Sequence, residues 1–206
     1  ITREGFLFLA KAGFDAVKIG MGIGSICTTQ QQKGTGRGQA TAIMEVVKAR
    51  NYYFKKTGKY LPIIADGAIS NSAHMAIALA LGADCLMAGR FFVQFEESAS
   101  DVIIDERIRR KYGPLKEYWG EGSQKAKNIS RYEHLDSSYF FEEGVEGFVP
   151  LLGSIYKKLP ETINKLKASF SSCGCKNIRQ LHHRAVLELQ SLDSQREGEV
   201  HDIITF

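Results

Sequence analysis

The sequence predicts an α/β fold built on parallel strands. Short apolar runs that end at glycine alternate with stretches of helical periodicity, and polar or glycine-rich turns separate them. Such alternation implies right-handed crossovers, in either an open doubly wound sheet or a (β/α)8 barrel. Three strand–helix units alone do not close a barrel. In both architectures chemistry gathers where strands end, which directs attention to the residues after Gly20, Ala65 and Ala88.

Residues 4–12 are amphipathic at helical spacing, with Gly13 as a stop. The run from Asp15 to Gly20 reads as the first strand. From Gly38, apolar residues recur every third or fourth place to a stop at Thr57-Gly58, predicting a long helix. Leu61 to Gly67 reads as a second buried strand, Ser70 to Leu81 as a capped helix, and Cys85 to Arg90 as a third buried strand, with Cys85 itself buried. From Phe91 to about Pro150 periodicity weakens into a segment rich in charge, Tyr and Gly, expected to be a lid or binding loop. Helical periodicity resumes over 151–170, with Pro160 as an expected kink or break. A further helix is expected over 178–192, then a strand-like or ordered arm to residue 206.

The 206 residues carry 27 Lys and Arg against 23 Asp and Glu, and a net charge of +4 without a basic cluster gives no reason to expect a nucleic-acid partner. No apolar run approaches a membrane span and no signal peptide is visible, so a cytoplasmic protein is expected. Four Cys are too few for a disulfide scaffold, and Cys173-Gly-Cys175 lacks a second pair spaced for zinc. With Ile first and a helix following at once, the chain is expected to be part of a longer polypeptide.

The strongest motif is Gly20-x-Gly22-x-Gly24-Ser25-Ile26-Cys27-Thr28-Thr29. Alternate glycines let the backbone approach a ligand or ion, and a cysteine in such a loop after a strand is a candidate nucleophile. A glycine turn with an incidental thiol fits the same pattern. The spacing is not the G-x-G-x-x-G of dinucleotide folds. Lys33 to Gly38 lacks a Walker ending and reads as a flexible lead into the long helix. His182 and His183 receive no function, and the Phe91-Phe92 and Phe140-Phe141 pairs read as packing.

Taken in order, the glycine loop with Cys-Thr-Thr, a strand ending in Ala-Asp-Gly, another ending in Gly-Arg, Tyr118-Trp-Gly-Glu-Gly-Ser123, the pair Arg131-Tyr132, and Glu142-Glu-Gly-Val-Glu-Gly147 resemble inosine monophosphate (IMP) dehydrogenases. The resemblance runs from about Glu4 to Ile204. It implies a (β/α)8 TIM barrel of which residues 1–206 are the C-terminal part of a single catalytic domain. Residues 91–150 would be a finger and active-site flap, with no regulatory CBS pair in these residues. In the family a cysteine attacks C2 of IMP, hydride passes to NAD, and the covalent xanthosine monophosphate (XMP) adduct is hydrolysed. The resemblance gives Cys27 that role. It gives Arg131 and Tyr132 the mobile flap, whose Arg activates water, and Thr29 with Glu143 a second proton route.

The same resemblance assigns phosphate binding to Ser25, Gly67, Ala68, Gly89 and Arg90, ribose binding to Asp66, and base contacts to Tyr118, Glu121 and Gly122. Ala68 stands where the family has Gly and would be strained at positive φ. Backbone carbonyls of Gly22, Gly24 and Cys27 match a potassium site that a neighbouring subunit completes with Glu-Gly-Gly. Here that run is Glu197, Gly198 and Glu199, with Glu199 departing from Gly. A homotetramer using IMP and NAD is implied. GMP reductase, NADPH-dependent and without need of the hydrolytic flap, is the near alternative; a catalytically inactive purine-nucleotide-binding relative is the other.

Overall fold

The computed structural model describes residues 1–126 and 141–203. Thr2 caps the first helix, α1 (Arg3–Lys11), by accepting from Gly5 N–H at 3.1 Å. Strand β1 (Val17–Ile19) follows, then a short helix α2 (Thr29–Lys33) and the long α3 (Gln39–Thr57), which stops at Gly58 in the left-handed region. Strand β2 (Ile63–Asp66), helix α4 (Ser72–Ala80, capped by Asn71) and strand β3 (Cys85–Met87) complete the predicted alternation.

The three strands form one parallel sheet in the order β1-β2-β3, with Val17 opposite Ile63 and Ile64 opposite Cys85. Its core is made by the residues that the two periodicities select. Phe6 and Ala10 of α1, Ala42, Val46 and Ala49 of α3, and Val17, Ile19 and Ile63 of the strands pack into one buried cluster. Each fully buried Ile or Leu here contributes about 2 kcal/mol of transfer free energy. A second cluster joins Ile43 and Ala65 to Met75 and Ala78 of α4.

Beyond β3 the structure departs from several expectations. The stretch 91–150 is not a long structureless loop in its described parts. It holds α5 (Gly89–Val93), α6 (Glu106–Tyr112), β4 (Leu115–Trp119), α7 (Gln124–Ala126) and β5 (Glu146–Pro150). Strands β4 and β5 pair antiparallel, from Leu115–Pro150 to Trp119–Glu146, as a sheet separate from the parallel one. Lys116 anchors this pair: it is buried, and its ammonium donates to the carbonyls of Phe95 and Ser98 at 2.9 and 2.8 Å, with Glu96 O at 3.4 Å. A buried cation is tolerated there because its donors have oxygen partners.

β3 is an edge strand of the described sheet, and Cys85 is exposed rather than buried. Helix α8 (Ile155–Ser172) runs through Pro160 without ending, so the expected break is absent. α8 lies on the outside and buries none of its residues, so a carbonyl left without its helical partner can bond water. The expected 178–192 helix stops early. α9 (Ile178–Arg184) gives way to extended backbone at Ala185, and α10 (Leu192–Glu197) is separate. No strand follows α10 among the described residues to 203. Phe91 packs edge-on against Phe92 and Phe95, as expected of packing residues, while Phe140 lies outside the described residues.

Below the sheet, at the entry ends of β2 and β3, Arg50 lies 3% exposed and donates to Gly82 O and Asp84 Oδ2 at 2.8 and 2.9 Å. Tyr60 donates to Asp84 Oδ1 at 2.6 Å. Burial first, and this hydrogen bond second, push the Tyr60 hydroxyl up to about 12. The unfolded chain would release that proton near pH 10, so from there upward the folded state holds more protons and stability falls as pH rises. In denaturant titrations a Tyr60→Phe variant is expected to lose less stability than the parent between pH 9 and pH 11.

Candidate active site

The loop after β1 is shaped by a close approach. Gly20 has φ of +145°, and a Cβ there would lie 1.8 Å from the carbonyl oxygen of Asp66 at the end of β2. Gln39, at the start of α3, holds the same two strand ends together by donating from Nε2 to Ile19 O and Asp66 O at 3.2 and 3.1 Å. The glycine loop is thereby seated against the second strand end. It then turns on the Cys27 N–H to Gly24 O bond, 3.0 Å, and enters α2 at Thr29.

Three segments distant in sequence are stitched together around Cys27 by backbone hydrogen bonds. Thr28 N–H donates to Glu143 O at 2.9 Å, Val145 N–H to Ile26 O at 2.9 Å, and Glu143 N–H to Gly122 O at 3.0 Å. Gly122 must be small, because a Cβ there would sit 2.9 Å from the Glu143 carbonyl carbon. The antiparallel β4–β5 pair supplies this arrangement by placing the turn after Trp119 across from the residues before Glu146.

A continuous polar chain results. The Cys27 thiol donates to Thr29 Oγ1 at 3.1 Å, and Thr29 donates to Glu143 Oε2 at 3.0 Å. Lys33 Nζ pairs with the same carboxylate, 3.4 Å from Oε1 and 3.3 Å from Oε2. The sequence alone places Lys33 in a flexible lead; in the structure it is the last residue of α2. The signal that would have found it is spacing: Thr29 and Lys33 are i and i+4 on one helical face.

Beside this chain lies a cleft of about 350 Å³ at the exit ends of the parallel strands. Ser25, Asp66, Gly67, Ala68, Gly89, Arg90 and Tyr118 all line it, so seven residues singled out from sequence converge on one cavity. The Arg90 guanidinium makes no hydrogen bond or ion pair among the described residues and is available to an anion. Asp66 Oδ2 accepts from Lys18 Nζ at 2.8 Å, which leaves Oδ1 for a ligand hydroxyl. Of the other two residues expected at the base, Gly122 lies against Glu143 rather than in the cleft lining, and Glu121 follows Tyr118 in the same turn.

Ala68 has φ of +56°, the left-handed region in which Cβ is crowded. The strain anticipated for a non-glycine residue is therefore present, on the wall of the cleft. Ala68→Gly is expected to raise unfolding free energy by about 1 kcal/mol, measured by urea titration; unchanged or lower stability would show that Ala68 is not strained.

Arg131 and Tyr132 lie outside the described residues. The proposed cation carbonyls are partly used: Gly22 O accepts from Gln30 Nε2 at 2.8 Å and Gly24 O from Cys27 N. Each carbonyl keeps a second lone pair, and a set of backbone oxygens suits a hard monovalent ion. Glu197 ends α10, with Gly198 and Glu199 after it, and the three make no hydrogen bond to that loop among the described residues.

A family model described as "IMP dehydrogenase / GMP reductase domain" matches residues 1–201. Among curated relatives, inosine-5'-monophosphate dehydrogenase of Tritrichomonas foetus is 46% identical over 206 residues, covering 99% of this chain and 40% of the relative. Proteins of the same description from Chlorobaculum parvum and Methanocaldococcus jannaschii are 38% and 35% identical, each covering 98% of this chain and 40% and 41% of the relative. The chain thus spans about two fifths of the length of the relatives it matches. With the glycine loop, the Asp-Gly end of β2, the Gly-Arg start of α5 and Glu143 converging in space as they recur in order along a match of nearly full chain length, this chain belongs to the IMP dehydrogenase / GMP reductase family.

Proposed function

We propose that the protein oxidises IMP to XMP with reduction of NAD. The observation that carries this reading is the chain Cys27 Sγ–Thr29 Oγ1–Glu143 Oε2 beside a cleft with an uncommitted arginine. The IMP dehydrogenase name of several relatives supports it.

In this reading Arg90, Ser25 and the backbone of Gly67, Ala68 and Gly89 hold the phosphate, and Asp66 holds the ribose hydroxyls. The purine then lies toward Tyr118, Glu121 and Gly122. Cys27 loses its thiol proton to solvent, and the thiolate adds to C2 and makes it tetrahedral, so that hydride can depart. NAD supplies the acceptor for that hydride. Water then attacks C2, the C–S bond breaks to return Cys27, and the proton lost by water passes through Thr29 to Glu143. Lys33 holds the Glu143 carboxylate toward Thr29, and Arg131 with Tyr132 forms the flap that closes over the site during hydrolysis.

Architecture and assembly extend the same reading. β1, β2 and β3 are successive strands of a (β/α)8 barrel, residues 1–206 are the C-terminal part of its catalytic domain, and 91–150 hold the finger and flap. Potassium binds the carbonyls of Gly22, Gly24 and Cys27, and residues 197–199 of a neighbouring subunit complete the site in a cytoplasmic homotetramer.

The direct test gives the full-length protein IMP and NAD, with and without potassium, and follows NADH and XMP. Equal yields of both, raised by potassium, are expected. NADPH-dependent consumption of GMP instead would make the protein a reductase, and no turnover of either would leave a nucleotide-binding relative. Glu143→Gln is expected to slow hydrolysis about 100-fold while leaving the first burst of NADH largely intact. Loss of the burst itself would mean that Glu143 acts before hydride transfer.

A further inference from the structure

A second cavity, of about 710 Å³, opens at the opposite end of the parallel sheet, where Tyr60 and Asp84 precede β2 and β3. Its size falls within the range of small-molecule sites, about 300–1,000 Å³. Its walls come from α3, the turn at Gly82 and α9. Phe54 and Tyr60 meet edge to face at 5.8 Å and form an aromatic side, with the Arg50 guanidinium 5.0 Å from the centre of the Tyr60 ring.

The polar groups of this cavity are unbalanced. These acceptors each have a partner: Asp84 Oδ1 takes the Tyr60 hydroxyl, Asp84 Oδ2 takes Arg50 Nη1 and Ile63 N–H, Gly82 O takes Arg50 Nη1, and Asn51 Oδ1 takes Arg50 Nε. Several donors do not. Among the described residues Arg50 Nη2, Asn51 Nδ2 and the whole Arg179 guanidinium donate to nothing, although the Arg50 side chain is only 4% exposed. One ring nitrogen of His182 lies 3.0 Å from Ala83 O and so carries its proton; His183 beside it is exposed at the rim.

Because Asp84 already offsets Arg50, Arg179 leaves the lining one net positive charge, with spare hydrogen-bond donors on an aromatic wall. We propose that this cavity binds a phosphomonoester carried on a planar ring, with the ring against Phe54 and Tyr60 and the phosphate on Arg50 Nη2, Asn51 Nδ2 and Arg179. A bare phosphate would leave most of the volume and the aromatic wall unused. The site lies across the sheet from the cleft of Ser25 and Arg90, so occupancy of one does not exclude the other.

The test titrates the full-length protein with phenyl phosphate by calorimetry, with inorganic phosphate and phenol as comparators. It also reads, by mass spectrometry, the rate at which diethyl pyrocarbonate modifies His183 and iodoacetamide modifies Cys27. Phenyl phosphate should bind at least about tenfold more tightly than either comparator and slow modification of His183 but not of Cys27. Arg179→Gln, an exposed change that leaves the Arg50–Asp84 pair intact, should weaken binding about fivefold or more. Absence of saturable binding overturns the proposal, as does binding that protects Cys27 instead of His183 or is indifferent to Arg179→Gln. A cavity filled by another segment of the protein would show itself as no binding with His183 already protected, and that too overturns it.

Discussion

In the proposed oxidation of IMP, replacing Cys27 by alanine is expected to lower turnover by at least about 10⁴-fold, because both chemical steps of that proposal pass through the bond that its sulfur forms. Among the described residues none of the other cysteines lines the cleft. Thr29 is committed as a donor to Glu143, and Ser25 lines the cleft wall. Binding and fold should survive: among the described residues Cys27 Sγ makes one hydrogen bond, to Thr29 at 3.1 Å, and the cleft is lined by the groups proposed to hold phosphate and ribose but not by Cys27. The expected result is an IMP affinity within about threefold of the parent and an unchanged thermal midpoint, with the burst of NADH gone. Turnover within about tenfold of the parent would sink the covalent mechanism.

Gly20→Ala is expected to damage the fold itself, by about 3 kcal/mol or more of unfolding free energy. The added Cβ would lie 1.8 Å from Asp66 O and 2.9 Å from Asp66 C, backbone atoms that cannot rotate away. Relief requires β1 and β2 to part where Gln39 bridges Ile19 O and Asp66 O, so the glycine loop and Asp66 would move together. Gly13→Ala is the control. Gly13 also has positive φ, +90°, but its Cβ would meet nothing within 4 Å, so only backbone strain of about 1 kcal/mol is expected. Urea titrations of the two variants separate steric approach from conformational strain. Equal losses would show that the close contact at Gly20 has no special cost.

Much of the parallel half of this molecule was legible residue by residue. α3 announces itself by periodicity and a stop at Gly58, α4 by its polar cap, and β1 and β2 by apolar runs too short for helices. These are local signals, set by contacts within a few residues. The glycine loop with Cys27 and the Asp-Gly and Gly-Arg pairs were legible for the same reason. Where neighbours decide, the reading erred. Cys85 has the apolar context of a buried strand, but burial depends on what lies beyond β3, and in the described sheet it is an edge. The antiparallel β4–β5 pair was missed because its strands are separated by a long segment and carry mixed polar and aromatic residues without clean alternation.

The sequence by itself determined the α/β class, the position of the thiol after the first strand, and most of the cleft residues, since parallel strands joined by crossovers bring their exit ends to one side. The tertiary structure decided what surrounds that thiol. Glu143 reaches Thr29 across 114 residues only because β5 pairs with β4 and the turn at Gly122 leaves room for it, and Lys33 gains its partner through the same non-local packing. It also decided that Ala68 lies at positive φ and that Arg50 faces a second cavity with donors to spare. Periodicity and spacing encode which face an element buries. They carry no information about which distant backbone will complete a hydrogen bond, and that is settled by the packing of the whole chain.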